Sequence, residues 1–327
     1  MRARELGIVL GELEPGPLDA ITDVAGVRVG HRTLVEGADV RTGVTVVVPP
    51  LPAFAAPFRL NGNGEMTGLE WVRESGLLTT PIGLTSTHSV GAVHEGLIAA
   101  AQEEDGSPWS LPVVAETWDG VLNDVNGFHV RPEHAREALA AASGGPVAEG
   151  NVGGGTGMIC HGWKGGIGTA SRRAGEHLVG VLVQANHGRA SRLTVSGVPV
   201  GRELLPPPRE PQGSIIVLVA TDAPLLPHQC ERLARRAALG IGRTGGAGED
   251  SSGDLLLALS TQRVAESVRM LPNERMNELF YAAIEATEEA IVNALLAAET
   301  MTGRRGVTVP ALDPDALLGV LRRHGRL

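Results

Sequence analysis

Short apolar runs, each closed by glycine, proline or a polar residue, recur along the chain. Residues 43–49 (GVTVVVP), 111–115, 178–184, 214–220 and 255–260 are of this kind. Their length and their Val, Leu and Ile content predict strands. The apolar positions are continuous rather than alternating, so both faces of each strand are expected to be covered. Helical spacing fills the gaps. Residues 133–142 are Ala-rich and follow Pro132, which suits a first helical turn. Residues 227–239 place Cys230, Leu233, Ala234, Ala237 and Ala238 on one stripe. Residues 277–300 form the longest pattern, apolar nearly all round through Ala282, Ile284, Ala286, Ala290, Ile291, Ala294 and Leu295. Such a helix is expected to be buried. Two stretches read as irregular: the stiff prolines at 206–208, and the Gly-rich residues 240–253 (GIGRTGGAGEDSSG) just before a strand. No internal repeat is evident. The sum is a layered α/β protein with sheets covered by helices.

The length, 327 residues, suits one large α/β domain or two ordinary ones. Apolar residues at 43% allow a sizeable core, and aromatics at 3% leave it to Ala, Val, Leu and Ile. This composition excludes a disordered or fibrous chain. Glycine is abundant, 44 residues without a G-X-Y period, which implies many tight turns and close backbone approaches. The net charge of −9 argues against nucleic acid as a partner. Arg232, Arg235 and Arg236 read as a solvated helix face. Cys160 and Cys230 cannot build a disulfide framework or a Cys-rich metal site. The N-terminal stretch has no apolar run of signal-peptide length, and no membrane-spanning run appears. A cytoplasmic protein without a membrane partner is the expectation.

Several familiar patterns fail. Residues 150–168 (GNVGGGTGMICHGWKGGIG) lack the Gly-Lys-Ser/Thr order of a phosphate loop and do not open a helix. His88 with His94, and His129 with Glu133 and His134, do not have zinc spacing. No G-x-S-x-G elbow is present. What remains is Glu249-Asp250-Ser251-Ser252-Gly253-Asp254, set between the Gly-rich loop and a buried strand. Cutting the bond before Ser252 would make it a new N-terminus at a sheet edge. Its hydroxyl would be a nucleophile, and its own α-amine, of ordinary pKa about 7.7–8.0, a general base. The alternative is a plain Ser-Gly-Asp turn into a strand.

Long segments decide between these two readings. RARELGIVLGELEPGPLDAITDVAGVRVGH opens the chain; AETWDGVLNDVNGFHV, EGNVGGGTGMICHGWKGGIGTASR, VGVLVQANHG, VATDAPLLPHQ, SSGDLLLALST and ATEEAIVNALLAAETMTGR follow. Over nearly the whole length the chain resembles the DmpA-type aminopeptidases, peptidase family S58 or P1. That family includes L-aminopeptidase/D-esterases, β-peptidyl aminopeptidases and nylon-oligomer hydrolases. The resemblance implies a single domain over residues 1–327 with the four-layer αββα sandwich of the N-terminal-nucleophile hydrolases. It implies self-cleavage between Ser251 and Ser252 into an α subunit (1–251) and a β subunit (252–327). Ser252 would then release N-terminal amino acids from small peptides, amides or esters through an acyl-enzyme. No metal or organic cofactor is implied, and the processed pairs are expected to assemble, commonly as a tetramer of αβ units.

The same resemblance assigns further residues. Asn186 matches the oxyanion-stabilising asparagine and Lys164 the site lysine of the nylon-hydrolase branch. Thr287 and Glu289 match the pair that orients the nucleophile's amine, with Glu288 as a substitute, since residues two apart do not share a helix face. Glu116 and Trp118 match a substrate-binding segment in which many relatives carry tyrosine at the tryptophan's position. Indole offers an N–H donor but no acid or base. Ser251 stands where relatives have Gly or Asn, which predicts slower self-cleavage. Two other readings are an acyltransferase of the ornithine-acetyltransferase type, which usually has a threonine nucleophile, and an uncleaved binding or scaffold protein.

Overall fold

The computed structural model describes residues 1–106, 108–207 and 213–327. Pro208, the last of the three prolines in the 206–208 connector, lies outside the described residues. The strands are β1 (Arg28–Glu36), β2 (Val40–Val48), β3 (Ala53–Arg59), β4 (Leu77–Leu78), β5 (Ile82–Ser86), β6 (Val113–Thr117), β7 (Ile159–Cys160), β8 (Trp163–Lys164), β9 (Gly166–Ala174), β10 (His177–Ala185), β11 (Ile215–Thr221), β12 (Leu255–Ser260), β13 (Met301–Thr302) and β14 (Thr308–Val309). The helices are α1 (Leu69–Ser75), α2 (Val90–Asp105), α3 (Pro132–Ala140), α4 (Pro227–Arg243), α5 (Met276–Ala297) and α6 (Pro314–Arg323).

Two sheets form the centre. One runs β1-β2-β5-β6 and the other β4-β3-β12-β11-β10-β9. Pairing is antiparallel except at β5 with β6 and at β11 with β12. The strand residues explain the layers. In β12, Leu255, Leu257 and Leu259 point to the other sheet, meeting Val29, Val47, Ile82 and Leu84. Leu256 and Ala258 point the opposite way, toward Leu233 and Ala237 of α4. Helices α2 and α3 cover the outer face of the smaller sheet through Val93, Leu97, Ala135 and Ala138. The order helix, sheet, sheet, helix is the expected αββα sandwich. A strand apolar on both faces is what a layer covered on both sides requires.

Helix α5 is buried from Ala282 to Leu296. It lies against β9 and β10 as well as α4. Close approach is allowed by Gly168, where an added Cβ would fall 1.9 Å from the Ala290 carbonyl oxygen. One irregular stretch differs from expectation. Residues 240–243 continue α4, and Gly240 sits against Thr287 of α5, leaving no room for a side chain. There glycine serves helix packing rather than a turn. Among the described residues no helix is long and apolar enough to cross a membrane.

Candidate active site around Ser252

Strand directions bring several segment ends to one end of the larger sheet. In the register, Leu255 of β12 pairs with Ile216 of β11, and Ile215 pairs with Ala185 of β10. Ser252, Ser214 and Asn186 therefore emerge side by side. The loop from α4 to β12 is fastened there by a turn carrying two asparagines. Asn61 Nδ2 donates to the Glu249 carbonyl at 2.8 Å, and Asn61 Oδ1 accepts from the Asp254 N–H at 2.6 Å. Asn63 Nδ2 donates to the Ser251 carbonyl at 2.9 Å, and the Asn63 N–H donates to the Ser252 carbonyl at 3.2 Å. Gly64 and Gly253 face each other closely; a Cβ on Gly253 would fall 2.5 Å from Gly64 Cα.

These contacts hold the junction in place on both sides of Ser252. The Ser252 hydroxyl is buried and donates to Asp254 Oδ1 at 2.5 Å. The same oxygen accepts the Ile215 N–H at 3.1 Å. Burial raises the Asp254 pKa above the ordinary carboxyl value, and those hydrogen bonds oppose the rise. The Ser252 N–H donates to Glu249 O at 2.8 Å, and the Gly253 N–H donates to Ser214 Oγ at 2.9 Å. A hydroxyl thus has a proton acceptor, and the adjoining carbonyl has an amide donor.

Beside the junction is a cavity of about 320 Å³, lined by Asn63, Thr87, Glu116, Trp118, Gly213, Ser214 and Ser251. Glu116 reaches it from β6. Its Oε1 accepts the Glu65 N–H at 3.0 Å, and its Oε2 accepts from the Thr87 hydroxyl. Burial raises its pKa, partly offset by these donors. Trp118 forms a wall, and its carbonyl accepts from Asn186 Nδ2 at 2.9 Å.

The other expected residues are distributed as follows. Asn186 is buried at the end of β10, with Oδ1 accepting the Ile159 N–H at 2.7 Å and its own N–H donating to Ser214 O at 3.1 Å. Its side-chain amide is therefore engaged at both ends. Lys164 is fully buried and donates to the carbonyls of Gly165 at 2.8 Å and Gly155 at 3.3 Å. Burial pulls its pKa down to about 7. Thr287 donates its hydroxyl back to Ala283 O at 2.7 Å. Glu289 is held by Arg172, and by Arg4 at 3.1 Å. Glu288 pairs with Arg243 at 3.2 Å. Among the described residues, Thr287, Glu288 and Glu289 share no hydrogen bond or ion pair with Ser252; they lie on the outer helix layer. The adjacent carboxylates of α5 are explained by their arginines, since an unpaired buried charge is costly.

Asn61, Asn63, Ser214 and Asp254 were not singled out from sequence. The signal available was weak: NGNG reads as a turn, and Asp254 reads as part of the strand entry. A further polar group adjoins Asn186. Cys160, His161 and His187 are buried, with one potential ligand atom from each within 4.8 Å of the others.

Comparison with known proteins bears on the family and the fold. Residues 19–309 match the family described as Peptidase family S58. The β-peptidyl aminopeptidase BapA of Sphingosinicella microcystinivorans is 47% identical, over 100% of this chain and 93% of its own length. A β-aminopeptidase structure from Burkholderia sp. superposes with a TM-score of 0.94 at 53% identity, covering 99% of both chains. The L-aminopeptidase D-Ala-esterase/amidase of Ochrobactrum anthropi superposes with a TM-score of 0.91 at 44% identity, over 100% of this chain and 99% of that one. That structure is described as a prototype for the serine aminopeptidases and a new variant among the Ntn hydrolase fold.

Proposed function

The chain belongs to peptidase family S58, and on that premise we propose that it cuts itself before Ser252 and then removes N-terminal amino acids from small peptides, amides or esters. It is a hydrolase and an aminopeptidase. The observation that carries the reading is the junction itself: Ser252 Oγ on Asp254, and the Ser251 carbonyl on Asn63.

In the uncut chain the α-amine of Ser252 is tied up as an amide, so another base must start the reaction. Asp254 accepts the hydroxyl proton as Oγ attacks the Ser251 carbonyl carbon. Asn63 Nδ2 stabilises the oxyanion. The C–N bond breaks, the nitrogen takes a proton, and an ester joins Ser251 to the Ser252 oxygen. Water hydrolyses that ester. Ser251 leaves as a new C-terminal carboxylate, and Ser252 keeps a free hydroxyl and a free amine. Because Ser251 lines the cavity, its departure opens the way to Ser252.

Substrate hydrolysis then repeats the chemistry with the freed amine as base. Glu116 faces the cavity as a carboxylate for the substrate's ammonium group, and Trp118 is the apolar wall beside it. Asn63 is placed to donate to the oxyanion. Asn186 supports that function by holding the Trp118 carbonyl and the Ser214 backbone; a direct donation would require it to release Trp118. Thr287 and Glu289 act by positioning α5, and Lys164 by filling its buried site. Assembly into a tetramer of αβ pairs belongs to the same proposal, on the strength of the family resemblance.

The names of two relatives make β-aminoacyl substrates the first to test. Processed protein is expected to release p-nitroaniline from β-alanyl-p-nitroanilide and not from its N-acetylated form. Equal rates on both would remove the ammonium-binding role of Glu116.

A further inference from the structure

We propose that Cys160, His161 and His187 form a zinc-binding site that ties the β7 turn to the segment following β10. Cys160 ends β7, His161 follows it, and His187 lies two residues beyond β10. The His161 N–H donates to His187 O at 2.7 Å, so backbone pairing already holds the two segments together. The imidazole rings meet edge to face with centroids 5.1 Å apart, and Cys160 Sγ lies 3.9 Å from His187 Nδ1.

Two observations beyond proximity point to a cation. The Nε2 atoms of His161 and of His187 are buried without a hydrogen-bond partner. Leaving buried polar atoms unmatched is costly, so native folds normally satisfy them. Secondly, His161 Nδ1 lies 3.1 Å from Arg189 O. A proton on Nδ1, donated to that carbonyl, leaves Nε2 with a free lone pair. This is the outer-shell arrangement that metal-ligating histidines use to fix tautomer and ring orientation.

The donor set selects the metal. One thiolate with two imidazoles suits Zn²⁺, as in sites with three protein ligands and an open position. Calcium and magnesium prefer oxygen. The donors stand within 4.8 Å of one another, and a tetrahedral ion with bonds of about 2.0–2.3 Å requires them to close by roughly an ångström. Binding replaces the thiol proton: Cys160–SH and Zn²⁺ give a zinc thiolate and one H⁺ released. Ile159 donates to Asn186, and Asn186 precedes His187. A bound ion would therefore brace the frame that holds the cavity wall, whatever the fate of the self-cleavage reading.

Cobalt serves as the probe, because thiolate coordination gives it a charge-transfer band. Tag-free protein stripped with chelator is titrated with Co²⁺ until the signal is stable, then with Zn²⁺. The expectation is about one Co²⁺ per chain, a thiolate-to-cobalt band, bleaching by Zn²⁺, and loss of the band in Cys160→Ser. His187→Gln is expected to weaken binding by more than about 10-fold. The chain has two cysteines, so a band that persists in Cys160→Ser would overturn the assignment. Should that variant fail to fold, wild-type protein alone decides: no thiolate band at saturating Co²⁺ overturns the site.

Discussion

Ser252 and Asp254 lie two residues apart, yet their partners come from far along the chain. Asn63 reaches the Ser251 carbonyl across 188 residues. The candidate nucleophile was legible through the family resemblance; the residues alone, a serine between a Gly-rich loop and a buried strand, left a plain turn open. Its supporting groups were not, because asparagines in a turn acquire meaning only when the fold sets them against a carbonyl. Self-cleavage should depend on Asp254 in its ionised form. Its pKa is raised, so the proton-accepting form fills as pH climbs through values above the usual carboxylate range of about 3.9. Processing followed by gel at several pH values should speed up over that rise and then level off. Asp254→Asn should be slow and nearly flat, and Asn63→Ala should slow processing by about 10²–10³-fold. A wild-type rate in Asp254→Asn would assign the base elsewhere.

Glu289 separates positioning from catalysis. Removing its charge strands the buried Arg172, although Asp19 and Glu285 remain at 3.4 Å. The cost of breaking a buried pair should therefore fall near the low end, about 3 kcal/mol. Glu289→Gln should lower Tm clearly while the folded, processed fraction keeps its pH profile. A displaced pH profile at unchanged Tm would restore a direct role at the Ser252 amine.

Among the secondary-structure elements, the continuous apolar runs were read correctly as strands, since burial on both faces removes the alternation that otherwise hides inside noise. The residues that became β1, β3 and β9 carry arginines, glycines and prolines, and no such run marks them. Their strand character comes from pairing: β9, an edge strand, is held by β10 and roofed by α5. Residues 277–300 showed a buried helix but not what lies against it. Gly168→Ala tests that contact. Its Cβ would run into the Ala290 carbonyl, and overpacking of this kind typically costs about 1–3 kcal/mol. Denaturant unfolding should show the loss. An unchanged midpoint would mean that Gly168 of β9 and Ala290 of α5 are not in close contact.

Over the whole molecule, the bond before Ser252 divides the sequence but hardly divides the fold. β12 sits between β3 and β11, hydrogen-bonded to both, and α5 packs on β9, β10 and α4. The segment 252–327 thus contributes a central strand and a buried helix to a core built mostly from residues before it. The fragments should co-elute on size exclusion without denaturant, because separating them would expose that core to water. The four-layer order was legible from the resemblance and from the strand pattern together. The end at which the site opens was not, because strand direction cannot be read from apolar runs.

The most direct test of the central claim is the intact mass of the purified protein beside Ser252→Ala. Wild type should give two masses, matching residues 1–251 and 252–327, and Ser252→Ala one uncut chain. A wild type that stays whole after long incubation, or a Ser252→Ala chain that is cut at the same bond, would contradict the account.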